Sequence, residues 1–239
     1  MDKTQLSVLV NADAEQVWLM LREPARIAQW HGWEMDGLQE EIQQIYYGDD
    51  VTESDDHLRL ELGMGDVFTL EPVPDGTRLT LTRGQATGEW AKYDADITEG
   101  WSVFIQQLKF KLERHPHTPR RTIFADGTSA AHTRLWDALG IDTGWLPDAG
   151  EPYKLTLTTG ATLEGKVWYR TESQLGLTVA DYAEHGDGLL ILAQQAPVEG
   201  VREHPGAQVI ASTWGLGAAA MDAIGSQWDS FMETHYPDA

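Results

Sequence analysis

His31 stands between Trp30 and Trp33 in the phrase QWHGWEM. An imidazole flanked by large rings can take or give a proton near neutral pH. Beside a glycine at a helix end, however, a histidine more often reads as a satisfied surface group, and that reading leads. His115 and His117 form an H-x-H, with His132 not far along the chain. Prolines follow or precede both, and no cysteine is present, so the spacing does not argue for a metal site. The carboxylate pairs Glu40-Glu41, Asp49-Asp50 and Asp55-Asp56 could do acid–base work only if burial drove their pKa values apart. They lie in polar, turn-like sequence and read as solvated.

Other catalytic phrases are missing. DDVTESDDH lacks the central glycine and closing glutamate of a calcium loop. ELGMGD and TWGLGAAA do not follow the strand–GxGxxG–helix order of a phosphate cradle. Neither a Gly-x-Ser-x-Gly elbow nor a His-Glu-x-x-His pair occurs. No cofactor is expected, and the sequence gives more weight to a non-enzyme than to an enzyme.

What remains is aromatic. The chain has 10 Trp and 7 Tyr. In its first half Trp30, Trp33, Tyr46, Phe68, Trp90 and Trp101 are the candidate lining of an apolar pocket; Trp145, Trp168 and Trp214, with Tyr169, are the analogous set in the second. Plain packing would use the same rings. Arg59 and Arg83 are candidates for an inward polar group, although an outward, solvated role is the commoner one for residues of strands with this alternation.

The elements that must position these residues follow from periodicity. KTQLSVLV reads as a strand, Asn11 and Asp13 as N-cap candidates, and Val17, Trp18 and Leu21 as a helix face. Glu23-Pro24 breaks that helix, and Pro24 can open a second short one through Trp30. EEIQQIYYG, HLRLELGMG, DVFTLEPVP and TRLTLTRG read as an antiparallel meander. From Thr98 a long helix carries Trp101, Phe104, Ile105, Leu108 and Leu112 on one face. RHPHTPRR, residues 114–121, reads as a linker and as a basic island able to dock on a carboxylate-rich face. The pattern then restarts: a short strand, Ser129 as an N-cap, a helix with Leu135, Trp136 and Leu139, five strand-like runs and a closing helix from about Leu216 to His235.

A shift of 118 positions lays Val17, Trp18 and Leu21 on Leu135, Trp136 and Leu139. A shift of 120 lays Trp101, Phe104, Leu108 and Leu112 on Met221, Ile224, Trp228 and Met232. Two helices agreeing on nearly one offset imply a diverged tandem duplication.

The phrases VWLMLREPARIAQWHGW and ITEGWSVFIQQLKFKLE, with GTRLTLTRG before the latter, resemble the START-like (SRPBCC) superfamily, especially the group similar to the C-terminal domain of the heat-shock-protein ATPase activator. The likeness covers residues 1 to about 114 and weakens after 120, where Ala220-Met221 stands in place of Gly100-Trp101. It implies an α+β chain of two helix-grip domains, 1–114 and 122–239, each a curved antiparallel sheet wrapped around a long C-terminal helix. It further implies a cavity for a small hydrophobic ligand, with Trp30 and Trp33 at its rim. Two other functions are compatible with the superfamily: a protein-interaction module, and a cyclase- or hydrolase-like enzyme for which His31 would be the residue to mutate.

A formal charge of −21 opposes nucleic acid and anionic membranes as partners and permits a basic protein partner. No apolar run is long enough to span a membrane and MDKTQLSVLV lacks the form of a signal peptide, so a cytoplasmic location is expected. The sequence leaves oligomeric state and ligand identity open.

Overall fold

The computed structural model describes residues 3–129 and 133–237. The chain divides into two compact units, Met1–Thr118 and Pro119–Ala239. Each builds its own antiparallel sheet, one of five strands and one of six.

The first unit runs β1 (Gln5–Val10), α1 (Ala14–Arg22), α2 (Pro24–Ile27), α3 (Leu38–Tyr47), β2 (Thr52–Glu53), β3 (Arg59–Glu61), β4 (Val67–Val73), β5 (Gly76–Thr82) and α4 (Asp94–Arg114). Strand order is β1-β5-β4-β3-β2, so the first strand closes on the last, Gln5 opposite Thr82. Alternation buries Leu79 and Leu81 on β5 and Phe68 and Leu70 on β4. Trp101, Ile105 and Leu108 of α4 join the same core.

Two sequence expectations are corrected in this unit. Residues 40–47 belong to helix α3 rather than to a strand: Leu38, Ile42 and Tyr46 recur every fourth position and are buried together, and Glu and Gln favour the helix between them. The long helix begins at Asp94, after a 3₁₀ run over Gly88–Tyr93. Thr98 therefore lies inside its first turns, where its hydroxyl donates to Asp94 O at 2.8 Å. Asp13 takes the N-cap position of α1 as expected, without a side-chain cap bond.

The stretch 114–121 is not one exposed island. Lys111 Nζ donates to His115 O at 2.6 Å and Thr118 O at 2.7 Å, closing the C-terminus of α4. His115 is buried beside Phe110, and Arg120 and Arg121 already belong to the next strand.

The second unit runs β6 (Arg120–Thr128), α5 (Leu135–Leu139), β7 (Pro152–Thr156), β8 (Thr162–Arg170), β9 (Gln174–Val179), β10 (Gly188–Gln195), β11 (Gly206–Trp214) and α6 (Ala218–His235). Its order, β6-β11-β10-β9-β8-β7, repeats the circuit of the first unit: the opening strand pairs with the closing one and the rest meander. Ser129 lies ahead of α5 and accepts from Thr133 N at 3.1 Å, while Arg134 takes the N-cap position. His132 lies outside the described residues.

The 120-residue register extends to burial. Leu108 and Trp228 are both fully buried, and Phe104 and Ile224 are both half-buried. The chain is thus α+β, two helix-grip domains each with a long C-terminal helix packed on its own sheet. Among the described residues no helix is long and apolar enough to cross a membrane.

Candidate active site

Pro24 starts α2, and the turn after it is closed by His31 N donating to Ile27 O at 2.9 Å. Gly32, at φ +57°, then turns the chain in a conformation that side-chain-bearing residues avoid. This directs Trp30 inward. Its ring is fully buried, edge-on to Tyr46 and Phe68, and its Nε1 donates to Met20 O at 2.7 Å. Gln107 of α4 fastens the turn by donating from Nε2 to Trp30 O at 2.8 Å.

His31 is carried inward with it and is 1% exposed, which overturns its reading as a surface group. Its Nδ1 lies 3.0 Å from the Tyr46 hydroxyl, and its Nε2 lies 3.2 Å from Oε1 of Glu41. Both partners come from α3, the helix that the sequence disguised as a strand. Glu41, in sequence part of a solvated acidic pair, keeps 43% exposure of its side chain yet reaches the buried ring.

The protons on this chain can be assigned. The hydrogen bond from His31 holds the Glu41 carboxyl below the usual glutamate range, against a smaller opposing effect of burial. An ionised carboxylate only accepts, so His31 Nε2 carries the hydrogen. In the neutral ring Nδ1 then accepts, and Tyr46 donates to it. Burial, with the charges of Glu41 and Asp66 adding to it, pushes the Tyr46 phenol well above 10 and keeps it protonated.

A second buried polar group lies across the same aromatic cluster. Arg83 and Asp66 form an ion pair, with exposures of 4% and 3%. Arg83 thus takes the inward role and Arg59 the outward one, paired with Glu61 at the surface. Asp66 also accepts from Gly84 N at 2.6 Å and from Trp101. Arg83 Nε donates to Thr98 Oγ1 at 3.3 Å. Burial raises the Asp66 carboxyl, against the pull of the Gly84 amide and Arg83. A side chain at Gly84 would meet Met64 O at 1.8 Å, so that close approach requires glycine.

Trp101 joins the two groups: its ring lies 5.7 Å from His31, 6.5 Å from Tyr46 and 5.5 Å from Phe68. Trp30, Tyr46, Phe68 and Trp101 therefore fill the interior with their own edge-to-face contacts. Outside them, Phe104 covers the imidazole at 4.6 Å and Trp33 lies 6.4 Å from Phe104, both half-buried.

Trp90 is 61% exposed and Trp145 69% exposed, so neither lines an interior. Trp168 is the extra residue of a β-bulge between Val167 and Tyr169 and is half-buried. Trp214 is buried at the end of β11. In the second unit Trp228 Nε1 donates to the Tyr182 hydroxyl at 2.8 Å. Among the described residues no cluster of three or more His, Asp or Glu side chains is placed to hold a metal.

No family model matches the chain, and no curated protein does. Solved structures are similar over nearly its whole length. DynU16, a protein of the dynemicin biosynthetic locus, is 17% identical, with a TM-score of 0.34 over 97% of this chain and 95% of that one. The di-domain ARO/CYC StfQ of the steffimycin pathway is 12% identical, with a TM-score of 0.34 over 95% and 90%. The di-domain ARO/CYC BexL of the BE-7585A pathway is 12% identical, with a TM-score of 0.36 over 100% of both. The expectation of a non-enzyme is corrected here. The first unit assembles a hydroxyl–imidazole–carboxylate chain, a set able to move a proton, from residues that sequence reading disperses among loops and a strand. The resemblance read from the sequence holds at the level of the helix-grip plan, built twice in one chain.

Proposed function

We propose that the first unit is a proton-transfer enzyme of the cyclase kind, acting on a small hydrophobic ketone. The observation that carries the reading is the Tyr46–His31–Glu41 chain, a hydroxyl oriented by a buried imidazole that is in turn oriented by a carboxylate. The Tyr46 oxygen takes a proton from the carbon beside a substrate carbonyl while its own hydrogen passes to Nδ1 of His31. Coupling the two transfers avoids a free phenolate, which burial makes unfavourable. Glu41 stabilises the imidazolium so formed. The resulting enolate carbon attacks a second carbonyl of the same molecule, and the new alkoxide recovers the proton from Tyr46 as His31 returns it. One C–C bond forms and no redox partner is needed. A substrate reaches Tyr46 by displacing Phe104 and Trp33, whose outer faces already meet solvent.

The test is ring formation from linear poly-β-ketone thioesters, whose alternating carbonyls supply both the acidic C–H and the carbonyl to be attacked, followed by mass spectrometry. Tyr46→Phe and His31→Gln should each lower the rate by about 10²–10⁴, the range of general acid–base catalysis. Full activity in a folded Tyr46→Phe protein would end the proposal.

A further inference from the structure

The second unit has a pocket of about 190 Å³ between the start of α5, the 142–146 loop and the β8–β9 turn. Its lining includes Trp136, Leu146 and Leu175, all buried, with Arg134, Arg170 and Glu172 at its walls. The chain has 38 acidic residues against 17 Lys and Arg, so a guanidinium has carboxylates to choose from. Even so, among the described residues neither Arg134 nor Arg170 has a carboxylate within 4.0 Å. Among the described residues Glu172 makes no ion pair either. Arg170 is held by donating from Nη1 to Leu146 O at 2.8 Å and from Nη2 to Thr143 O at 3.2 Å. A guanidinium has five N–H groups, so the orientation is fixed while donors remain over.

We infer that this pocket binds a small aromatic carboxylate, the ring against Trp136, Leu146 and Leu175 and the anion at Arg134 and Arg170. The volume equals about six waters at ~30 Å³ each, room for a single ring with one carboxylate, and it is below the ~300 Å³ at which drug-sized ligand sites begin. A guanidinium favours a planar anion because its fork matches a carboxylate, and Arg134 and Arg170 line the same pocket. The edges of Trp136, Leu146 and Leu175 that reach the pocket add an apolar contact for a ring beside its polar walls. The inference is independent of the reaction assigned to the first unit.

Calorimetric titration of the full chain with benzoate, benzamide and inorganic phosphate tests it. Benzoate should saturate one site, with benzamide and phosphate at least tenfold weaker. Arg134 is exposed, so Arg134→Gln should fold normally, as circular dichroism would show, and weaken benzoate about tenfold. Arg134→Lys should fall between, and Glu172→Gln should tighten binding severalfold by removing the like charge. Tyr46→Phe should leave the affinity unchanged. Benzamide or phosphate binding as tightly as benzoate, an unchanged affinity in folded Arg134→Gln, or no saturable benzoate site would each overturn the inference.

Discussion

The hydroxyl of Tyr46 and Nδ1 of His31 meet at 3.0 Å inside a cluster of edge-on rings, fifteen positions apart in the chain. Tyr46→Phe keeps the ring and removes only the hydroxyl that meets the buried imidazole. The expected cost in folding free energy is about 1–3 kcal/mol, measured by denaturant unfolding. A variant as stable as the parent would mean that the bond contributes nothing to the fold.

Arg83 and Asp66 should behave as a buried pair whose members cannot be removed singly. Arg83→Met leaves a carboxylate stranded in the core and should destabilise by about 3–5 kcal/mol, whereas Arg83→Met with Asp66→Leu should recover much of that loss. A double-mutant cycle with no coupling would refute the pairing.

The tyrosines give the pH dependence a direction. Burial raises Tyr46 and Tyr153, and pushes Tyr182 and Tyr236 up to about 12. The folded state therefore holds these protons more tightly than the unfolded chain, whose phenols titrate near 10. Stability on this account is complete below pH 10 and declines as pH rises above it. Phenolate absorbance should show these groups ionising together with unfolding; their smooth titration in a folded protein would contradict the assigned burial.

Glu41 works in the opposite sense. Its folded pKa is depressed from 4.5, so its contribution is present above that value and is lost as pH falls through the lower, folded one. Glu41→Gln should flatten the acid limb of the stability profile, and an unaltered limb would argue against the His31 contact.

Phe104 and Trp33 should control access. In the parent, His31 should resist carbethoxylation, being 1% exposed. Phe104→Ala should make it the histidine whose labelling rises most, as read by peptide mass spectrometry. Equal protection in both proteins would place the entrance elsewhere.

The helical repeat was legible because apolar side chains at three- and four-residue steps admit few alternatives: Trp101, Leu108, Met221 and Trp228 could be placed from periodicity alone. So could the strands of the second unit. The site was not, and α3 shows why. Ile42, Ile45 and Tyr46 fit a short strand nearly as well as a helix, and the misreading separated Glu41 and Tyr46 from His31. Arg83 illustrates a different limit, since local alternation reports which face a residue occupies, while its burial depends on Asp66 seventeen positions away. Trp90 and Trp145 show that a large ring in sequence carries no guarantee of enclosure.

Glu41 keeps 43% of its side chain in water while the imidazole it touches keeps 1%. Bulk solvent can therefore exchange hydrogen ions with the heart of the first unit through one carboxylate, without any aromatic door swinging open. On the reaction proposed for this unit, charge balance and substrate entry would run on separate routes, the first through Glu41 and the second past Phe104 and Trp33.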